Sequence, residues 1–238
     1  WQRLPGLARC ILKSFRLSLA QAEIDAERLR RLGAEPVVAV GNLKFAVPPL
    51  PADAAELARL EHMIAGRPRW LAASTHQGEE ALVWQAHREI AKSLPGLLTI
   101  IVPRHPERGS AVAGELQALG ARTARRGAGD AVAADTHIYV ADTMGELGLF
   151  FRLAPVSFMG KSLVDLGGQN PIEPVRLGSA IVFGPHMWNF PDTSARLIES
   201  GGALRVGDAA ALADAVTELL GDETRRAGLT AAAHAIAE

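Results

Sequence analysis

Arg104 is the clearest candidate for binding an anion. A guanidinium group forms two parallel hydrogen bonds with a phosphate or a carboxylate, and prolines flank the Arg104-His105 pair on both sides. The alternative is a surface ion pair with Glu107, but such a pair contributes at most ~1 kcal/mol and needs no flanking prolines. The pattern therefore predicts an anion-binding role for Arg104.

Thr143-Met144-Gly145-Glu146 follows an apolar run and has the S/T-x-x-E pattern of a helix N-terminus. The glycine allows a phosphate to approach the exposed N–H groups closely, and the helix dipole favours negative charge there. Glu146 itself would repel a bare phosphate. We therefore expect Glu146 to cap the helix, unless the ligand also offers hydroxyl or amino groups.

Asn170-Pro171-Ile172-Glu173 predicts a second helix start. Asparagine is a preferred N-cap residue, proline is preferred in the first turn, and the glutamate takes the third helical position. Two roles for Glu173 are open at this point. In a capping box, its carboxylate accepts a hydrogen bond from the backbone N–H of Asn170. Alternatively, it binds ribose hydroxyls, as an acid at this edge of a nucleotide-binding sheet often does.

Several other chemistries are excluded by missing motifs. Gly160-Lys161-Ser162 looks like the end of a P-loop, but Pro155 stands where that motif needs glycine, so Lys161 is only a candidate contact for an anion. The sequence has no H-E-x-x-H, no D-x-D and no G-x-S-x-G pattern. We therefore predict a site for an anionic, nucleotide-like ligand without a metal, a cofactor or a covalent catalyst.

These motifs follow short apolar runs that alternate with helical stretches about every 30 residues, as βαβ units require. Continuous apolar strands separated by helices predict a parallel sheet covered on both faces, and therefore a doubly wound, Rossmann-like α/β fold. In such sheets the ligand lies beyond the carboxyl ends of the strands. The predicted strands are Val37–Val40, Trp70–Ala73, Leu97–Val102, His137–Val140, Val156–Met159 and Ala180–Phe183.

Composition narrows the class of protein. The 238 residues are 48% hydrophobic and 21% charged, which indicates a globular chain, and a formal net charge of −1 argues against nucleic acid as a partner. Cys10 is the single cysteine, so no internal disulfide can form and a cytosolic location is expected. No apolar run reaches the ~18 residues of a membrane span.

The N-terminal part differs from the rest of the chain. The chain starts at Trp1 without a methionine, and we interpret it as a fragment of a longer protein. Its first twenty residues are basic and interleaved with apolar side chains, which fits either an amphipathic segment at a membrane surface or a helix and strand of a neighbouring domain. We expect residues 1–35 to belong to that other domain and residues 36–238 to form the nucleotide-binding lobe.

Taken in order, six stretches resemble the C-terminal half of the bacterial Kdo transferases, which add 3-deoxy-D-manno-octulosonic acid (Kdo) to lipid A precursors. Each stretch alone is weakly specific, whereas six in order over most of the chain are strongly specific. They are Gly41–Phe45, Ala73–Glu80, Val102–Arg108, Asp142–Leu147, Gly167–Pro174 and Gly184–His186.

The resemblance implies the C-terminal lobe of a GT-B glycosyltransferase with CMP-Kdo as its donor substrate. It assigns CMP binding to nine residues: Pro103, Arg104, Met144, Gly145, Glu146, Asn170, Pro171, Ile172 and Glu173. The sequence departs from the family pattern at Lys161, where a glycine is common, and at Gln169, where a histidine is usual. Both are candidate contacts to the donor sugar or phosphate, as are Ser74, Thr75 and His76.

The implied activity is an inverting transfer of Kdo from CMP-Kdo to lipid IVA in lipopolysaccharide biosynthesis, without a metal or cofactor. The base that takes the proton of the acceptor hydroxyl resembles a glutamate of the family's N-terminal lobe, so we expect no catalytic residue in this chain. The fragment would bind CMP-Kdo without transferring Kdo. The full-length protein would contact the cytoplasmic face of the bacterial inner membrane.

Two other functions are weighed against this one. Sugar-nucleotide epimerases share the two-lobed fold and a ribose-binding carboxylate, although they would favour a uridine diphosphate ligand. In a non-catalytic binding module, the polar turns would serve only as helix caps. Competition of CMP against UDP tests the first alternative, and a nucleotide-induced shift in melting temperature tests the second.

Overall fold

The computed structural model describes residues 4–21, 23–40 and 48–237. The chain separates into two units, Trp1–Pro48 and Pro49–Glu238. The predicted division into residues 1–35 and 36–238 places its boundary earlier in the chain and stays a prediction. Among the described residues, no helix is both long and apolar enough to cross a membrane.

The described residues of the first unit form two helices and a pair of short parallel strands. Helix α1 (Pro5–Leu12) leads to β1 (Ser18–Ala20), and α2 (Glu23–Arg31) leads to β2 (Val37–Ala39). Ser18 pairs with Val37 at the start of this two-stranded sheet. The expectation that Val37–Val40 begins the large sheet is therefore wrong, because an apolar run identifies a strand but not its partner.

The second unit follows the predicted alternation of strands and helices. Its helices are α3 (Ala54–Met63), α4 (Glu79–Ile90), α5 (Gly109–Ala118), α6 (Leu147–Leu153), α7 (Ile172–Val175), α8 (Pro191–Glu199), α9 (Ala209–Gly221) and α10 (Glu223–Ala237). Its strands are β3 (Arg69–Thr75), β4 (Leu98–Pro103), β5 (Thr123–Arg125), β6 (Ile138–Val140), β7 (Val156–Met159), β8 (Ala180–Phe183) and β9 (Ala203–Arg205). A short 3₁₀ turn spans Pro106–Arg108.

All seven strands of this unit run parallel in the order β5-β6-β4-β3-β7-β8-β9. The predicted α/β class and the parallel sheet are confirmed. Five of the six predicted strands lie in this sheet, and the two strands not predicted, β5 and β9, are three-residue edge strands. Such short strands lack the apolar run on which the prediction depends.

The core explains why the central strands read as continuous apolar runs. Every residue of β4 is buried, and in β3 only Arg69 is not. Successive side chains of a strand point to opposite faces of the sheet, and Trp70 and Ala72 join a core cluster with side chains of α4 and α9. Helix α6 packs against β3, with α3 and α7 as its neighbours.

The strand order reverses at β3, since β4 lies on one side of it and β7 on the other. A crevice opens at such a switch point, beyond the carboxyl ends of the two strands. The fold therefore directs a ligand to the turns that follow β3 and β7. The turns after β4 and β6 lie at the same edge of the sheet.

Candidate functional site

Glu79 ties together the two turns at the switch point. This fully buried side chain begins α4. Its Oε2 accepts hydrogen bonds from the backbone N–H groups of His76 (3.0 Å) and Lys161 (2.6 Å). Its Oε1 accepts from those of Ser162 (3.0 Å) and Leu163 (3.1 Å). Burial raises the pKa of the Glu79 carboxyl, while the four N–H groups oppose that shift by favouring the charged form.

The same two turns contain unusual backbone conformations. Ser74 (φ 56°) and Lys161 (φ 65°) both adopt the left-handed region, which costs a non-glycine residue roughly 1–2 kcal/mol. Gly160, the residue before Lys161, lies so close to β3 that a Cβ there would be 2.5 Å from the carbonyl oxygen of Ser74. Strain of this kind clusters at functional sites, and here it lies at the switch point.

Glu80 connects the turn after β3 to the turn after β4. Its Oε1 accepts hydrogen bonds from the hydroxyl of Thr75 (3.0 Å) and the guanidinium of Arg108 (2.9 Å). Its Oε2 is buried and has no hydrogen-bond partner among the described residues. The hydroxyl of the buried Thr75 side chain therefore binds Glu80, and this contact stabilises the turn at the site.

Arg104 brings a positive charge to the edge after β3 and β4, and the rings of His76 and His105 lie at the same edge. The Arg104 side chain is exposed, and its backbone N–H donates to the carbonyl of Thr75 (3.0 Å). His76 Nδ1 lies 3.2 Å from the carbonyl oxygen of Ser74, and its ring meets that of His105 edge-on at 6.1 Å. Burial lowers the pKa of His76, and nearby positive charges lower it further.

The predicted alternative for Arg104 does not occur. Glu107 lies 3.6 Å from Nδ1 of His105, and within the described ranges Arg104 has no carboxylate partner. Pro103, the last residue of β4, is buried and sets the direction in which the chain leaves the sheet. An exposed guanidinium on a buried strand end remains available to an anion in solution.

The turn after β6 is held by two consecutive arginines from the edge of the sheet. Arg125 contacts Asp142 Oδ2 through Nε (3.0 Å) and an Nη (2.7 Å), and the N–H of Gly127 donates to Oδ1 of the same carboxylate (2.7 Å). Arg126 contacts both carboxylate oxygens of Glu146. This arrangement leaves Met144 80% exposed at the tip of the turn.

The expectation that Glu146 caps the following helix is wrong. Helix α6 begins at Leu147, and the Glu146 side chain makes no capping hydrogen bond. Its carboxylate contacts Arg126 and the hydroxyl of Thr143 instead. The S/T-x-x-E pattern identified the turn, but a nearby arginine competes successfully with the backbone because a charged donor binds a carboxylate more strongly.

Asn170 and Glu173 form a local pair at the start of α7. Asn170 Oδ1 accepts from the N–H of Ile172 (3.2 Å), and its side-chain amide donates to Glu173 Oε1 (3.1 Å). The capping box with the backbone N–H of Asn170 is therefore replaced by a contact between the two side chains. Pro171 and Ile172 are buried, whereas Gln169, Asn170 and Glu173 are half-buried at the surface of the turn.

The structure brings the predicted residues to one edge by different routes. Glu79 binds the backbone of His76 and Lys161, and Glu80 binds the hydroxyl of Thr75, the residue after Ser74. The backbone N–H of Arg104 donates to the carbonyl of Thr75. Met144, Gly145 and Glu146 follow β6, the neighbour of β4. Asn170 and Pro171 precede α7, which begins with Ile172 and Glu173 and packs against α6. The Gly41–Phe45 stretch lies outside the described residues.

Sequence reasoning missed the residues that hold these turns. Arg108 ends a matching stretch but was given no role. Arg125 and Arg126 belong to no recognised motif and lie at the end of an edge strand that the sequence does not reveal. Glu79 and Glu80 stand in a matching stretch without an assigned role. In the part of the chain that the structure describes, no group of three histidine, cysteine or acidic side chains could hold a metal ion.

Comparison with known proteins places the chain in a family. Residues 1–47 match the family model described as 3-deoxy-D-manno-octulosonic-acid transferase (kdotransferase). A solved structure titled the C-terminal CMP-Kdo binding domain of WaaA from Acinetobacter baumannii is 34% identical, with a TM-score of 0.72, over 76% of this chain and 96% of that one. The chain belongs to the 3-deoxy-D-manno-octulosonic acid transferase family.

Relatives of known name support the same family. The 3-deoxy-D-manno-octulosonic acid transferase of Bordetella pertussis is 37% identical over 91% of this chain and 51% of its own length. That of Haemophilus influenzae is 35% identical over 88% of this chain and 50% of its own length. The chain spans about half the length of the curated relatives it matches. The predicted family and the GT-B C-terminal lobe are confirmed.

Proposed function

We propose that this chain is the donor-binding half of a Kdo transferase and binds CMP-Kdo at the carboxyl edge of its seven-stranded sheet. The full-length protein then transfers Kdo to a lipid A precursor, lipid IVA, in lipopolysaccharide biosynthesis. The solved domain from Acinetobacter baumannii, described as binding CMP-Kdo, supports this choice of donor.

One observation carries the proposal. The acids at the switch point bind groups of the protein, since Glu79 accepts four backbone N–H groups and Glu80 binds Thr75 and Arg108 through Oε1. The side chains of Arg104 and Lys161, by contrast, have no carboxylate partner among the described residues, and the contact of Lys161 with Glu79 is made by its backbone N–H. A site built in this way offers positive charge to a ligand, and CMP-Kdo carries a phosphodiester and a carboxylate.

The proposed contacts divide the nucleotide among three turns. Arg104 binds the phosphate through its guanidinium group, and the N–H groups around Gly145 stabilise the negative charge that develops on CMP as it leaves. The Glu173 carboxylate accepts hydrogen bonds from the ribose hydroxyls, while its Oε1 keeps the hydrogen bond from the Asn170 amide. Lys161, His76 and Gln169 lie on the side of β3 and β7 and face the Kdo carboxylate and sugar.

This chain supplies binding and leaving-group stabilisation, while the base that deprotonates the acceptor hydroxyl belongs to the N-terminal lobe. A single phosphodiester has less charge than a pyrophosphate, so Arg104 and backbone N–H groups can bind it without a divalent ion. Because the acceptor is a lipid, we place the full-length protein at the cytoplasmic face of the inner membrane.

Isothermal titration calorimetry with CMP tests the site. We expect Arg104→Ala to weaken binding about 30-fold, since a bidentate charged contact contributes roughly 2 kcal/mol. Glu173→Ala should weaken it about tenfold through the ribose. Arg88→Ala is the matched control, because Arg88 lines a cavity at the opposite edge of the sheet. Unchanged affinity in both site variants would remove the proposed site.

Two further assays test the donor and the reaction. We expect CMP to displace a bound fluorescent cytidine nucleotide, and UDP to leave it bound; displacement by UDP alone would favour the epimerase. In a turnover assay with CMP-Kdo and lipid IVA, this chain alone should form no product. Product formation by the chain would show that it contains the base.

A further inference from the structure

Glu146 presents an electrostatic problem at the proposed nucleotide site. It follows Gly145, and the backbone N–H groups around that residue are proposed to receive a phosphate. Two negative charges a few ångströms apart repel each other. At 4 Å the repulsion is roughly 1 kcal/mol in water and about 4 kcal/mol near a protein surface. Something must offset the charge of Glu146 if a phosphate is to bind beside it.

Arg126 meets that requirement. Its Nε donates to one carboxylate oxygen of Glu146 at 2.6 Å, and an Nη contacts the other oxygen. The Arg126 side chain is 12% exposed, so water screens this pair only weakly. The contact with Arg126 is also the main reason why the pKa of Glu146 is lowered.

The contacts of Arg126 on its other side fix it in place. It forms an ion pair with Glu56 of α3 (2.8 Å), its guanidinium lies 3.4 Å from the hydroxyl of Tyr139, and it stacks 5.7 Å from the ring centre of Phe150 in α6. Glu56 has a second cation, Arg59, at 2.7 Å. Arg126 therefore bridges α3, β6 and the turn that precedes α6.

We propose that Arg126 is a positioning residue of the nucleotide site, which neutralises Glu146 and turns its carboxylate away from the phosphate so that the N–H groups of residues 144–146 can receive it. The inference rests on the proposed function. It assigns the Met144–Glu146 turn a role through its backbone and makes the Glu146 carboxylate a partner of Arg126.

The decisive variant is Arg126→Met, and Arg59→Met is its matched control. Arg59 also pairs with Glu56 but makes no contact with Glu146. The probe is the methyl ester of CMP, whose phosphodiester keeps one negative charge over the pH range used, measured by calorimetry on the whole chain. Its cytosine base begins to take up a proton at the acidic end of that range, so each variant is compared with the wild type at the same pH. We expect Arg126→Met to weaken binding about tenfold at neutral pH, and Arg59→Met to bind as the wild type does.

The pH profile separates a charge effect from a loss of structure. Without Arg126, the main cause that lowers the pKa of Glu146 is gone, while burial and Glu56 still raise it. The neighbours of Glu146 are then Glu56, Arg59, Tyr139 and Thr143. The deficit of Arg126→Met relative to the wild type should therefore shrink as the pH falls into the acidic range in which carboxyl groups take up a proton. A deficit that stays constant with pH overturns the proposal.

Substitution of Glu146 provides the complementary test. We expect Glu146→Gln to bind the probe at least as tightly as the wild type, and Arg126→Met combined with Glu146→Gln to recover most of the lost affinity. Loss of binding in Glu146→Gln overturns the proposal, because it would mean that the carboxylate contacts the ligand directly. Failure of the wild-type chain to bind the probe would instead refute the proposed function.

Discussion

Arginines lie at both edges of the seven-stranded sheet, but their partners differ. At the amino edge, Arg67 donates to the backbone carbonyls of Gly96, Leu97, Ala133 and Thr136. Arg69 and Arg226 likewise donate to the carbonyls of Leu153 and Leu219. At the carboxyl edge, Arg108, Arg125 and Arg126 contact the carboxylates of Glu80, Asp142 and Glu146 instead, and Arg104 extends to solvent.

The difference follows from the direction of the helices. In a parallel α/β sheet, helix C-termini collect at the amino edge and present carbonyl groups, which attract cations. Leu153 ends α6 and Leu219 lies in the last turn of α9, so Arg69 and Arg226 satisfy these carbonyls. Helix N-termini collect at the other edge and attract anions, from the protein or from a ligand. An arginine that binds carbonyl groups at the amino edge therefore stabilises the fold. An arginine without a carboxylate partner at the carboxyl edge indicates a binding site for an anionic ligand.

The largest effect is expected at Glu79, where stability and binding depend on one side chain. Glu79→Ala leaves four N–H groups at the switch point without their acceptor and should lower the free energy of unfolding by about 4 kcal/mol. Urea denaturation measures this loss. Glu89→Ala, which removes an exposed ion pair with Lys92, is the control. A loss below about 1 kcal/mol would contradict the role of Glu79.

Arg67→Met tests the amino edge. It removes the donor to four carbonyl groups, and we expect the free energy of unfolding to fall by about 3 kcal/mol. The affinity for CMP, measured by calorimetry below the melting transition, should stay at the wild-type value. Weakened CMP binding in a folded Arg67→Met variant would break the distinction between the two edges.

His87 makes the amino edge sensitive to acid. The side chain is buried, its Nδ1 lies 2.8 Å from the hydroxyl of Thr99, and burial together with His137 and Arg67 lowers its pKa to about 3. Between about pH 6.5 and pH 3 the unfolded chain binds a proton that folded His87 does not. The contribution of neutral His87 to the free energy of unfolding is therefore fully present above that range. Within the range, the free energy of unfolding falls with decreasing pH, by up to about 1.4 kcal/mol per pH unit for one proton.

Urea denaturation across this pH range measures how the free energy of unfolding depends on pH. We expect this dependence to be shallower for His87→Gln than for the wild type. The pKa of His137 is lowered as well, so part of the slope will persist in the variant. Equal slopes in both proteins would show that His87 is not the titrating group.

Lys161→Gly gives the smallest expected change in the free energy of unfolding. It also tests which part of the donor Lys161 contacts at the carboxyl edge. Glycine accepts the left-handed backbone without strain, so stability should rise by about 1 kcal/mol. Affinity for CMP should be unchanged, while affinity for CMP-Kdo falls, because the proposed contact of Lys161 is with the Kdo part of the donor. Equal losses for both ligands would place Lys161 at the phosphate.

Some of the site was readable from local patterns. The apolar runs predicted β3, β4, β6, β7 and β8 within a few residues, and the position of Arg104 after a buried strand placed it at the ligand edge. The S/T-x-x-E pattern located the turn at residues 143–146 but assigned the wrong partner to Glu146. Arg126 could not be predicted, because its partners belong to α3, β6 and the turn before α6.

The sequence by itself determined the class of fold and which turns carry polar chemistry, since strand length, apolar periodicity and glycine positions are local properties of the chain. Tertiary structure decided that β2 pairs with β1, that Glu79 joins the turns after β3 and β7, and which arginines find a carboxylate or a carbonyl. These partners are distant in sequence. Which of them an arginine meets depends on strand order and helix direction, and both are settled only when the sheet assembles.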